Sequence, residues 1–171
     1  MAGIFFLSCV NDLQQVKTVV ATDQTPDQVV NDLYMLHSDS GVVQFELRAK
    51  RMEQYSVGKK MMIFKDGFEV NFYKKKDVVE AHLEANYGEL REDDHVIIAR
   101  NKVIFTNFTE NKTLTTEELF WDQEQKRCRT DKAFEISGPT IYGRGYGLDC
   151  NETFSEYTIH KGHVEYKDTA Q

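Results

Sequence analysis

The residues whose types could do chemistry are few, and their spacing works against them. His160 and His163 form an H-x-x-H. Histidine is the commonest metal ligand, but this spacing around a turn near Lys161-Gly162 sets two rings poorly for one strand face. They read as the solvated tip of a hairpin. Asp93-Asp94 and Glu117-Glu118 are carboxylate pairs. Acid–base catalysis needs two such groups converging on one bond, whereas adjacent residues of a strand point to opposite faces. The run Gly143-Arg144-Gly145-Tyr146-Gly147 has the glycine spacing of a phosphate-binding turn, without the strand-then-helix context that such a turn requires. Its glycines imply bulges or close backbone approach instead. Asn-x-Thr triplets begin at Asn107, Asn111 and Asn151, at or near turns, and are acceptors only in a host that glycosylates. No Gly-rich phosphate loop, G-x-S-x-G elbow or H-E-x-x-H is present. The reading is a protein that is not an enzyme, with no catalytic residue, no metal set and no cofactor.

The three cysteines do not make a disulfide framework. Cys128 is in phase with the apolar face of its strand, and Cys150 lies just past the end of the next. A tight hairpin at Gly138-Pro139 would set Cys128 opposite Asp149, one residue from Cys150. Two readings stay open: a disulfide in an oxidising compartment, or a buried thiol plus an exposed one. Cys9 ends the apolar run MAGIFFLSC. That looks like the end of a lipoprotein signal, where a small residue precedes a cysteine that becomes lipidated. The expected organisation follows: residues 1–9 are a truncated or mis-started signal ending at lipidated Cys9, and 10–28 are a linker. Residues 29–166 form one folded domain, and 167–171 a frayed tail. A short helix is the other reading of Asn11 to Val20, since Leu13, Val16, Val19 and Val20 fall at helical spacing.

The elements that must position these residues are strands. The chain has 171 residues, 40% of them apolar and 29% charged, which is ordinary for one domain with its own core. A net charge of -7 argues against a nucleic-acid partner, because neutralising phosphates needs a basic face. Lys74-Lys75-Lys76 reads as a solvated turn. No stretch reaches the roughly 18 apolar residues of a membrane-spanning helix. Val79, Ala81, Leu83, Ala85 and Tyr87 alternate with polar residues, a period of two that gives one apolar and one wet face. Val43, Phe45, Leu47 and Ala49 do the same. A two-residue loop at Asp39-Ser40 would pair them with Leu36, Tyr34 and Val30 on a shared apolar face. A second hairpin is expected at Lys65-Asp66-Gly67, leading into Phe68, Val70 and Phe72. Further turns are expected near Gly88–Asp94, Arg100–Lys102, Thr109–Lys112, Asp122–Lys126 and Ser137–Pro139. Roughly a dozen short antiparallel strands and almost no helix make the class all-β. Periodicity alone does not separate a jelly-roll from a sandwich or an open barrel.

Six segments carry a family resemblance in series: HSDSGVVQFELRAKRMEQY, FKDGFEVNFY, LEANYGEL, ARNKVIFTN, LTTEELFWD and IYGRGYGLD. In this order the chain resembles the LptC family, within the broader OstA-like β-jelly-roll family. The resemblance implies a single twisted, open jelly-roll whose apolar interior shelters the acyl chains of lipopolysaccharide. It implies a transfer component in the periplasm, anchored to the inner membrane. Such a component takes lipopolysaccharide from the permease of an export ABC transporter and passes it to a soluble periplasmic bridge protein of the same jelly-roll family. Relatives that begin with a transmembrane helix differ here, where Cys9 favours a lipid anchor in the membrane. The residues expected to line the lipid path are Tyr34, Leu36, Val43, Phe45, Leu47, Phe68, Val70, Phe72, Leu83, Ala85, Val103, Phe105, Leu119, Trp121, Phe134 and Ile136. The edge expected to dock the bridge protein is Tyr157, Ile159, Val164 and Tyr166. The alternative is a structural or adhesive surface β lipoprotein with a dry, packed core.

Overall fold

A computed structural model describes residues 25–58, 60–75 and 78–166. Cys9, the signal, most of the linker and the tail 167–171 lie outside the described residues. The described residues contain no helix. They form eleven strands: β1 (Gln28–Asp39), β2 (Val42–Tyr55), β3 (Met61–Phe64), β4 (Phe68–Lys75), β5 (Val78–Ala85), β6 (Tyr87–Arg91), β7 (Val96–Asn107), β8 (Lys112–Asp122), β9 (Arg127–Ser137), β10 (Ile141–Asn151) and β11 (Tyr157–Tyr166). All belong to one antiparallel sheet, in the order β11-β10-β9-β8-β7-β5-β4-β2-β3-β6, with β1 on β2 and β6 also on β7. The expected all-β jelly-roll architecture is present.

β3 and β4 do not form the hairpin expected at Lys65-Asp66-Gly67. Both lie antiparallel to β2, β3 against residues 53–55 and β4 against residues 45–49. They are two halves of one long strand line with a break between them. Gly67 permits the break: its φ is 86°, and a Cβ there would sit 2.8 Å from the Ala85 carbonyl oxygen. β5 and β6 share β7 in the same way.

These breaks line up across the sheet. Asp32 (φ 53°), Gly67, Asn101 (φ 64°), Lys102 (φ 58°) and Gly147 (φ 74°) all adopt left-handed backbone. The pairing register also shifts between Arg100 and Val103, Thr116 and Phe120, and Tyr146 and Leu148. The flanking pairs, such as Ala49↔Phe68, Phe68↔Ala85 and Thr116↔Phe134, put these irregularities on one transverse line. A bulge bends its own strand, so a row of them creases the sheet. Arg100–Lys102, expected as a turn, is one of these bulges inside β7. The two halves then face each other. Phe45 and Phe72 from one half meet Trp121 from the other edge-on, with ring centroids 4.9 and 4.8 Å away.

Two further expectations need correction. The β1–β2 turn is Ser40-Gly41 (φ 51° and 78°), both left-handed as a type I′ hairpin demands. A bulge in β2 opposite His37/Ser38, where Gln44 is the extra residue, then reverses the phase of β1. Leu33, Met35 and His37 therefore oppose Ala49, Leu47 and Phe45. Tyr34 and Leu36 oppose Arg48 and Glu46 instead, and are 54% and 52% exposed. The last segment is not a hairpin turning at Lys161-Gly162 but one continuous strand, β11, paired with β10 throughout. Gly162 serves a close approach of the two paired strands, opposite Gly145: a Cβ there would fall on the Arg144 carbonyl oxygen.

Candidate functional site

The interior is assembled from alternate residues of both halves. Phe45, Leu47, Phe68, Val70, Phe72, Leu83, Ala85, Val103, Phe105, Phe134 and Ile136 come from one half, and Leu119 and Trp121 from the other; all are buried in one core. Val43 is half-buried. Of the residues expected to line a lipid path, only Tyr34 and Leu36 are elsewhere, on the outer face for the reason given above.

One row of this interior runs the full width of the sheet. Met35, Leu47, Val70, Leu83, Phe105, Leu114, Ile136, Gly143 and Val164 are successive cross-strand partners from β1 to β11. At a strand spacing of about 4.8 Å the row is about 40 Å long. No charged side chain interrupts it.

The interior is filled. Trp121, 1% exposed, sits between Phe45 and Phe72, and its Nε1–H has no hydrogen-bond partner among the described residues. Phe154 closes one end and was not anticipated from the sequence. It is fully buried despite a φ of 54°, and its ring stacks on Phe105 at 5.8 Å. Asn107 Nδ2 and Lys112 Nζ donate to the Thr153 and Ser155 carbonyls at 2.8 and 3.1 Å. They tie the β10–β11 loop to the far end of β7 and β8. Phe154 lies in a turn and follows no period, so only its apolar type among polar neighbours could have marked it. Leu114, by contrast, stands in phase with the β8 alternation and was legible.

A groove of about 740 Å³ follows the crease on the other face. It is lined by charged Asp32, Arg48, Lys50, Asp66, Glu69, Glu84 and Lys102 and by apolar Leu33, Ala49, Phe68, Ala85 and Ile104 among others. Charges of both signs share its walls with these apolar groups, in contrast to the uninterrupted apolar row of the interior. Beside it, Glu46 accepts hydrogen bonds from Asn71 Nδ2 at 2.8 Å and from the Tyr34 hydroxyl at 3.1 Å. Burial opposes ionisation of Glu46, yet these bonds, with Tyr73 and Arg48, hold its carboxyl below the ordinary range. Burial, with the Glu46 carboxylate next, pushes the Tyr73 hydroxyl up to about 12. This is a fastening of the outer face and carries no reactive group.

The remaining candidates are dispersed. His160 pairs with Asp149, and His163 with Glu165 at 3.4 Å; three apart on one straight strand, they point to opposite faces. Asp93 and Asp94 lie in the exposed β6–β7 turn. Glu118 bridges Arg100 at 2.7 Å on the outer face. Of the expected docking edge, Tyr157, Ile159 and Val164 pack partly on the core, while Tyr166 is 76% exposed. Among the described residues β11 pairs with β10 alone and is a terminal strand of the sheet.

The sheet carries an apolar row from edge to edge and, among the described residues, no convergent set of polar side chains. Residues 1–165 match the family described as lipopolysaccharide-assembly, LptC-related. The chain belongs to the LptC family. Comparison with curated proteins gives no match. Membership in the LptC family implies involvement in lipopolysaccharide transport, within a family that is periplasmic and associated with the inner membrane. Its role there is that of a transport component.

Proposed function

We propose that this protein is a lipopolysaccharide-binding transfer component. It takes lipopolysaccharide from the ATP-driven permease at the inner membrane and hands it to a jelly-roll bridge protein leading to the outer membrane. The observation that carries the reading is the apolar row from Met35 to Val164, which joins the two edges of the sheet. Exposing one acyl chain of about twelve carbons to water costs roughly 10 kcal/mol, at about 0.8 kcal/mol per methylene. An amphiphile with several chains therefore needs a continuous sheltered path, and such a path needs no catalytic residue. The terminal strand β11 supports docking by strand addition, in which main-chain hydrogen bonds extend the sheet into a partner. Cys9 would hold the domain at the membrane through a lipid.

A second reading, a structural or adhesive surface lipoprotein, is favoured by the filled interior around Trp121. Photo-crosslinkers placed singly at Phe45, Phe105, Thr158 and the exposed Glu117 separate the two in cells. Transfer predicts lipopolysaccharide adducts at Phe45 and Phe105, a protein adduct at Thr158, and neither at Glu117. Lipid captured at Glu117 alone sinks the interior path, and folded protein with no lipid adduct at any position establishes the dry core.

A further inference from the structure

Cys128 and Cys150 are direct cross-strand partners, Cα opposite Cα, on β9 and β10. The hairpin does not turn tightly at Gly138-Pro139. Ser137 pairs with Tyr142, and the shift at Gly147 trims the register by one, so Cys128 meets Cys150 rather than Asp149. Directly opposed residues of antiparallel strands have Cα atoms about 4.5 or 5.5 Å apart, depending on the pair type. Both separations lie within the range a disulfide spans. Both side chains point to the same face, and both are buried, at 1% and 0% exposure, so the expected exposed thiol does not exist. The thiols are free in this structure. Their row continues through Trp121 on β8 and Tyr157 on β11.

We infer that Cys128 and Cys150 are a built disulfide site, closed by oxidation as the last strands of the sheet assemble. Two thiols give up two protons and two electrons to form the S–S bond in the chain. The acceptor is another disulfide, on a small molecule or a dithiol oxidant, whose own S–S bond breaks to two thiols. Timing follows from burial. Exchange needs a thiolate that can be reached, and in the folded sheet burial, with the neighbouring Cys150 next, drives the Cys128 thiol well above its ordinary range. The bond therefore forms before the sheet closes. It then ties β9 to β10 directly beside the terminal strand β11.

The test uses the full chain, unfolded, reduced, and refolded with oxidised glutathione. It is then denatured with iodoacetamide without reductant, and digested. The expected product is a peptide pair joining Cys128 to Cys150, two hydrogens lighter than the free-thiol peptides. Its cysteines become alkylated only after reduction. Complete alkylation of both without reductant overturns the inference, as does linkage of either one to Cys9. A second measurement compares denaturant midpoints of oxidised and reduced chain. The bridged chain unfolds at the higher denaturant concentration, whereas an equal or lower midpoint shows that the bridge does not belong to the native pairing.

Discussion

Glu53 shows how a buried charge is kept on this scaffold. It lies on β2, 3% exposed, and takes Lys65 Nζ at 2.6 Å, the Tyr55 hydroxyl at 2.8 Å and Arg51 Nη2 at 2.9 Å. The bond from Lys65, then that from Tyr55, lowers its carboxyl to about 2, against the opposing effect of burial. A carboxylate whose folded pKa is depressed adds stability that is fully present above the unfolded value near 4.5 and is lost as pH falls toward 2. Glu53→Gln is expected to cost on the order of 2 kcal/mol at neutral pH, the scale of hydrogen bonds to charged groups. Urea midpoints measured from pH 6 to pH 2 should fall less steeply for the variant. A parallel fall would assign the acid sensitivity to other carboxylates. Lys65 belongs to the break between β3 and β4, so this cluster also pins one point of the crease.

Among the elements, β1 is where a single residue matters most. The Gln44 bulge of β2, opposite His37/Ser38, turns Met35 toward Leu47 and Leu36 toward Glu46. Met35→Asp should therefore lower stability by about 2–3 kcal/mol, the penalty of burying an unpaired charge after local relaxation. Leu36→Asp should change it by about 0.5 kcal/mol or less. Thermal or urea unfolding decides, and the reverse order would restore the unbulged register. The same strand explains what the sequence could convey. The periods of β4 and β5 were legible because one parity is apolar and the other polar. In β1 the run Leu33-Tyr34-Met35-Leu36 is apolar in both parities, so the bulge alone sets the face. Asp66-Gly67 has the chemistry of a hairpin turn and also of a break within a straight strand line; the choice was made by the pairing of β3 with β6, from Phe64↔Gly88 to Met61↔Arg91, which no local pattern records. Gly162 likewise marks a close approach of two paired backbones, not a reversal. The interior of the candidate site was nearly all readable from alternation, apart from Phe154 and the outward turn of Tyr34 and Leu36.

At the scale of the molecule, the described sheet does not close its two outermost edges on each other: β1 ends at one side and β11 at the other. A conduit that hands cargo between separate proteins needs such free ends, and a tether that holds one of them near the membrane. Cys9 is the proposed tether. Cys9→Ala is expected to move the protein from the membrane fraction to the soluble fraction at high salt, with the fold unchanged by circular dichroism. Retention with membranes under those conditions would remove lipidation from the account.

The crease gives this molecule a mechanical character that its strand count does not. Within each half, neighbouring strands are laced by ladder hydrogen bonds and behave as stiff panels. Along the line from Asp32 through Gly67 and Asn101 to Gly147, the ladder is interrupted and the backbone already occupies unusual torsions. Deformation concentrates where lacing is weakest, so the two panels can change their angle without unpairing any strand. On the proposed transfer function, a filled interior and a path for a lipid are two settings of one flexure, and the spacing of the panels is a bending coordinate, not a fixed dimension.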